Sequence, residues 1–338
     1  MSAAPLIIDH LDADRFSALG GEAVLVVDAA HFERSMVPVQ AVVIGVDAAG
    51  ALPAVDAGDF DLLLTSAPEP PSPWVELAVG GFLRQVAALE QVVRSWPMAA
   101  TITCQTLRIG EFLPFDQALM LESLAYSTLL GGAEFARWRE ARAHESAPDG
   151  PPETSVRYER DGNDVILTLD SAETRNAMTA AMRDALYASL ANVLDDPTRP
   201  MVRLRGAGKC FSAGGALYEF GTATDGAQAH LIRTLHSCAR AVHALGDRGA
   251  AQLHGACIGS GLEIPAAAAR VEAQPGSFFQ LPELRMGLMP GAGGTVSVAR
   301  RIGRHRTLWM LLSAARLTVT QALSFGLIDA VMDAPWSE

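Results

Sequence analysis

Two spacings of apolar residues alternate along the second half of this chain. Val156 to Glu159 and Asp164 to Leu169 are short strand-like runs joined by Asp161, Gly162 and Asn163, which predicts a hairpin. Between Ala177 and Leu194 the spacing changes. Met178, Met182, Leu186, Leu190 and Leu194 share one helical face, with Asn176 or Thr179 placed to cap it. Val202 to Leu204 predicts a strand, Ala227 to Leu245 a long helix, and Ala250 to Leu253 another strand. A glycine-rich turn then opens a helix over Gly261 to Ala269. Repeated strand-turn-helix units imply an α/β fold with functional groups on the turns.

The first half is less regular. Ala23 to Asp28, Gln40 to Asp47 and Phe60 to Thr65 predict strands. Four helices follow, over Leu83 to Arg94, Pro97 to Arg108, Phe115 to Leu130 and Glu134 to Arg142. His144 to Glu153 combines three Pro with Gly, Ser and acidic residues, so it is expected to link the halves.

Composition narrows the function more than the fold. The net charge of −12 argues against nucleic acid or an anionic membrane as a partner, although local cations or helix amino-termini can still hold phosphate. No apolar run has the length to span a bilayer, and Met1 to Asp14 carries three Asp and no Lys or Arg. A cytoplasmic protein is expected. Cys104, Cys210, Cys238 and Cys257 are far apart, and the eight histidines are scattered, so neither a disulfide framework nor a metal site is expected.

Three segments carry candidate chemistry. Gly208 to Phe220 reads GKCFSAGGALYEF, where adjacent glycines let the backbone approach a ligand and aim an N–H at developing negative charge. Alone, it reads equally as a plain turn. His254 to Ala266 reads HGACIGSGLEIPA, a turn opening a helix whose first N–H groups favour an anion. Glu263 there more commonly complements a helix dipole. Leu281 to Thr295 reads LPELRMGLMPGAGGT, with Glu283 ahead of a glycine-rich loop. Alone, Glu283 would be a solvated loop acid.

Together, FSAGG, GSGLE, PELRMGLMPGAGGT and the later LTVTQALSFGLIDAVMD closely resemble, in order, the crotonase (enoyl-CoA hydratase/isomerase) superfamily. The resemblance implies a ββα spiral core with an associated helical, trimerisation-type region. It implies that the N–H groups of Gly215 and Ser260 form an oxyanion hole around an acyl-thioester carbonyl, where losing one donor typically costs ~10²–10³ in rate. Glu263 and Glu283, twenty residues apart, stand at the catalytic positions of the family's two-glutamate hydratases. Arg175, Lys209 and Ala213 are the expected contacts for coenzyme A. Two departures from the family pattern are Ala216, where Asp is frequent, and Ser260, where Gly is usual.

The expected activity is hydration of a 2-enoyl-CoA, or its reversal, with no cofactor beyond the coenzyme A of the substrate. The alternatives are isomerisation or hydrolysis through the same enolate, or a non-catalytic binding subunit. A homotrimer or hexamer is implied. Residues 82–142 resemble the helical region that follows the core in ordinary family members. Residues 1–143 therefore read as a degenerate partial copy, with a circularly permuted segment as the alternative, 144–153 as a linker and 154–338 as the catalytic core.

Overall fold

A computed structural model describes residue 10 and residues 13–32, 39–142 and 155–332. The expected linker, 144–153, lies outside the described residues. The first half opens with a parallel sheet of β1 (Val24–Asp28), β2 (Val42–Asp47), β3 (Leu62–Thr65) and β4 (Val75–Glu76), side by side in chain order. Val42, Ile44, Leu62 and Leu64 join one buried cluster, while Val43 and Leu63 join Phe60 and Trp74 in another. Both faces are covered, so these strands read as continuous apolar runs rather than as alternation.

Four helices follow: α1 (Phe82–Ser95), α2 (Pro97–Gly110), α3 (Phe115–Leu130) and α4 (Ala133–Glu140). Pro97 suits the first turn of α2, where its missing N–H costs nothing. The next two donors, Met98 N and Ala99 N, bond the Glu134 carboxylate of α4 at 2.9 and 3.0 Å.

The second half begins with the hairpin β5 (Ser155–Asp161) and β6 (Asp164–Asp170), closed by Gly162 and Asn163. Then come α5 (Ala180–Leu194), β7 (Met201–Gly206), α6 (Gly226–Leu235), α7 (Cys238–Ala244), β8 (Gly249–Leu253), β9 (Ala256–Ile258) and α8 (Ser260–Glu263). The remainder is β10 (Arg270–Ala273), β11 (Phe278–Gln280), α9 (Gly294–Ile302), α10 (Arg304–Ser313), β12 (Leu317–Thr318), α11 (Val319–Phe325) and β13 (Ala330–Val331). A six-stranded sheet runs β13-β10-β8-β7-β6-β5, and a small sheet runs β12-β11-β9.

Three local expectations are corrected. Thr179, not Asn176, caps α5, accepting from Met182 N at 3.0 Å. The long helix over 227–245 is two, because His236 leaves helical geometry and the Ser237 side chain caps a new start at Arg240 N. The helix expected over 261–269 ends at Glu263. Pro265 has no N–H for the next helical bond, and the chain tightens into a short turn over Pro265–Ala267.

The halves are packed together. α2 and α3 lie on α9, while α1, α2, β3 and β4 meet α10. Buried arginines on α10 tie the contact: Arg304 donates to the carbonyls of Phe60 (2.7 Å) and Ala57 (2.6 Å). Arg306 donates to Pro70 and Trp74. Guanidinium suits this use, since five fixed donors can satisfy several carbonyls at loop ends that no strand pairs.

Candidate active site

Three turns of the second half meet at one place. The first, after β7, is held by Asn176, which is fully buried. Its amide nitrogen donates to the carbonyls of Ala207, Cys210 and Phe211 at 2.9–3.0 Å, and its oxygen accepts from Ser171 N. Ser212 then pairs alongside β9, with Ser212 N bonded to Ala256 O and Ile258 N to Ser212 O. This brings residues 212–215 beside 257–261. Ala216 N is taken by Met178 O and Gly214 N by Ser212 Oγ, whereas Gly215 N has no acceptor among the described residues.

The second turn contains Gly259 (φ 51°, ψ −124°), a conformation that disfavours any side chain. Ser260 follows as the first residue of α8, and its N–H has no acceptor among the described residues. Its hydroxyl is buried and equally unpartnered. Glu263, one turn on, is buried and accepts from Ala292 N (2.7 Å) and Gly294 N (3.0 Å) through Oε2.

The third turn carries Glu283, also buried, with an Oε2 that no group among the described residues satisfies. A Cβ built on Gly259 would meet Glu283 Oε1 at 2.7 Å and Glu263 Oε1 at 3.9 Å. Both carboxylates thus converge over the glycine that precedes Ser260.

Sequence reasoning missed a third acid. Glu122, on α3 of the first half, is 2% exposed and reaches the same loop as Glu263. Four successive residues donate alternately: Ala292 N to Glu263, Gly293 N to Glu122 (2.7 Å), Gly294 N to Glu263, and Thr295 N to Glu122 (2.8 Å). Thr295 Oγ1 adds a bond to Glu122 at 2.6 Å. A signal was available, since Glu122 falls in the helical row of Phe115, Ala118, Leu119 and Leu129 that is otherwise apolar. Tyr126, one turn further, packs its ring so closely on the backbone that a Cβ at Gly291 would strike it at 2.6 Å. α4 braces the Glu283 turn similarly, with Glu134 and Phe135 backbone atoms within 2.8 Å of a Cβ placed at Gly287.

Burial dominates the electrostatics. It pushes Glu263 up to about 7, against the pull of the loop N–H groups. Burial and then the Glu263 charge push Glu122 up to about 8, against its hydrogen bonds from Thr295 and Gly293. Burial and Glu263 hold Glu283 well above the ordinary carboxylate range. Between about pH 6.5 and about pH 8, the unfolded chain has released protons that the folded chain still holds, so stability falls as pH rises. His305, held down at about 4 by burial, is already neutral in the folded chain across this window. The urea midpoint is therefore expected to drop between those pH values and to drop less in Glu122→Gln. A midpoint that rises instead would contradict the buried-acid arrangement.

Arg175 and Lys209 are exposed beside the first turn, and Ala213 N bonds Arg175 O at 2.9 Å. Among the described residues, no helix is long and apolar enough to cross a membrane.

Comparison with known proteins gives the family of the chain. A family model described as enoyl-CoA hydratase/isomerase matches residues 160–335, which contain all three turns but not Glu122 or Tyr126. A probable enoyl-CoA hydratase of Rhodobacter capsulatus is 33% identical over 189 residues, covering 53% of this chain and 69% of the relative. The enoyl-CoA isomerase/hydratase fer4 of Mycosarcoma maydis is 31% identical over 174 residues, covering 49% of this chain and 64% of that one. A fatty acid oxidation complex subunit alpha of a Shewanella strain is 33% identical over 178 residues, but this chain spans only 25% of its length. A solved enoyl-CoA hydratase from Thermoplasma volcanium superposes with a TM-score of 0.49 at 28% identity, over 54% of this chain and 73% of that one. Since the family model spans more than half of the chain and contains its three convergent turns, the chain belongs to the enoyl-CoA hydratase/isomerase family.

Proposed function

We propose that this protein hydrates a 2-enoyl-CoA, or dehydrates the corresponding 3-hydroxyacyl-CoA. The observation that carries the reading is the convergence of Glu263 and Glu283 over Gly259, beside the open N–H groups of Gly215 and Ser260. The thioester oxygen takes those two N–H groups, which act as charge develops on it. Glu263, ionised and held by the loop, takes a proton from water as its oxygen bonds Cβ. The π electrons move toward the thioester oxygen, and Glu283 then gives its proton to Cα. One water is added across the double bond. The two acids titrate together, and Glu283, whose Oε2 has no partner among the described residues and whose charge burial and Glu263 both oppose, is proposed as the member that supplies the proton.

Arg175, Lys209 and Ala213, at the rim of the first turn, are proposed to hold the coenzyme A portion. Residues 82–142 are proposed to stand in for the helical region that follows the core in ordinary family members, with residues 1–143 a degenerate copy and the assembly a homotrimer or hexamer.

The unpartnered oxygen of Glu283 also favours a second reading, in which that one acid shuttles a proton and moves the double bond. Mass spectrometry of products from a panel of enoyl-CoAs separates the two: hydration adds the mass of one water, and isomerisation adds none. Under the hydration reading, kcat/KM rises with pH through about 7, as Glu263 ionises, and falls again where Glu283 loses its proton. A flat profile across neutrality would remove Glu263 from the role of base.

A further inference from the structure

A small cavity of about 100 Å³ adjoins the acid site. Gly291, Ala292 and Gly293 form one wall, the loop that supplies a hydrogen bond to Glu263. Met178, whose carbonyl accepts from Ala216 beside the first turn, forms part of another. The cavity thus shares its loop with the acid site, while Gly215, Ser260, Glu263 and Glu283 do not themselves line it. Its remaining walls are unusually cationic for an acyl pocket: Arg183, Arg233, Arg240 and His236 all line it.

Two of those cations already have an anionic partner. Arg183 and His236 both bond the Asp184 carboxylate, at 2.8 and 2.9 Å. Arg240 donates to Leu235 O. Glu122 and Asp116 also line the cavity. Glu122 spends its oxygens on Gly293 and Thr295, and neither acid forms an ion pair with Arg233 among the described residues.

Arg233, like Arg240, lacks an anionic partner among the described residues, but its hydrogen bonds are part-buried where that of Arg240 is exposed. It is half-buried on α6, and its Nη1 reaches only neutral oxygens of Ser123 and Ser127, at 2.8–3.3 Å. Its guanidinium carbon lies 4.6 Å from the centre of the Tyr126 ring, the same ring that presses on Gly291. Neither Nε nor Nη2 has a protein acceptor among the described residues. A cation taken partly out of water is costly unless it gains an anionic partner, and a planar fork with two open donors matches a carboxylate.

We infer that this cavity receives the far end of the acyl chain and that its preferred chain ends in a carboxylate, which Arg233 binds. The substrate class is then the coenzyme A monothioester of a short unsaturated dicarboxylic acid. This rests on reading the site as one for enoyl thioesters, and it adds what lies at the other end of the chain.

The test compares pent-2-enoyl-CoA with the monothioester of pent-2-enedioic acid, and each with its one-carbon-longer homologue. Wild type is expected to favour the acid-ended chain in kcat/KM by about 10- to 100-fold, the range of one charge-assisted contact. In Arg233→Met that preference collapses to about one or below, and Arg233→Lys, which keeps the charge without the fork, falls between and guards against misfolding of the Met variant. Preference for the neutral chain in wild type would overturn the inference. So would an equal loss on both chains in Arg233→Met, which would assign Arg233 to the coenzyme A phosphates or to tying α6 to α3. If no enoyl-CoA is turned over, calorimetry with the saturated thioesters decides. Tighter binding of the acid-ended one, lost in Arg233→Met, would uphold the carboxylate site while hydration fails, and equal binding would reject both.

Discussion

Glu283→Gln is expected to lower kcat for hydration by about 10³-fold and to leave binding of a product analogue nearly unchanged. Gln has the volume and outline of a protonated glutamate, the form of Glu283 that burial and the Glu263 charge both favour. The substitution therefore removes a proton donor without adding a charge or a void. One Glu283 oxygen already lacks a partner, so no existing hydrogen bond at that atom is lost. The thermal midpoint should hold or rise. Glu263→Gln is expected to lose similar activity but also some stability, since its Oε2 is the acceptor for two loop N–H groups. Stopped-flow assays on both variants, with product-analogue titration as control, check this. Full hydratase activity in Glu283→Gln would end the two-acid mechanism, and loss in that variant alone, with a mass-neutral product, would make the enzyme an isomerase.

The second large effect lies outside the family segment. Glu122→Ala is expected to cost about 3 kcal/mol of stability, because Gly293 N, Thr295 N and Thr295 Oγ1 lose a buried acceptor at ~1–3 kcal/mol each, less what entering water restores through the adjoining cavity. Activity should fall about 10- to 100-fold in the remaining folded protein. The reason is geometric. N–H groups bound by Glu122 alternate with those bound by Glu263, so the loop cannot shift away from one acid without disturbing the other. Chemical denaturation and kcat measured on the same preparation test the link. A destabilised variant with wild-type kcat would confine Glu122 to packing.

Much of this was legible in the chain itself. The strand pattern and the helices over 82–140 follow from apolar spacing, because each element buries one face or two. The motifs around Gly215, Ser260, Glu263 and Glu283 lie on turns whose glycines the backbone requires. Local chemistry decided what was misread: Ser237 starting a new helix at a side-chain cap, and Pro265 ending α8 for lack of an N–H. Glu122 escaped for a different reason. Its partners lie more than 170 residues away, so nothing in its own neighbourhood distinguishes a core carboxylate from a solvated one, except its place in an apolar row.

The arginines of α10 that clasp the first sheet therefore act at a distance from the chemistry they protect. A molecule whose first half has swung away would keep all three of its family-segment turns, yet the loop that grips Glu263 would be released. Partial opening in such a protein would therefore be expected to weaken the positioning of Glu263 while the turns themselves stay intact.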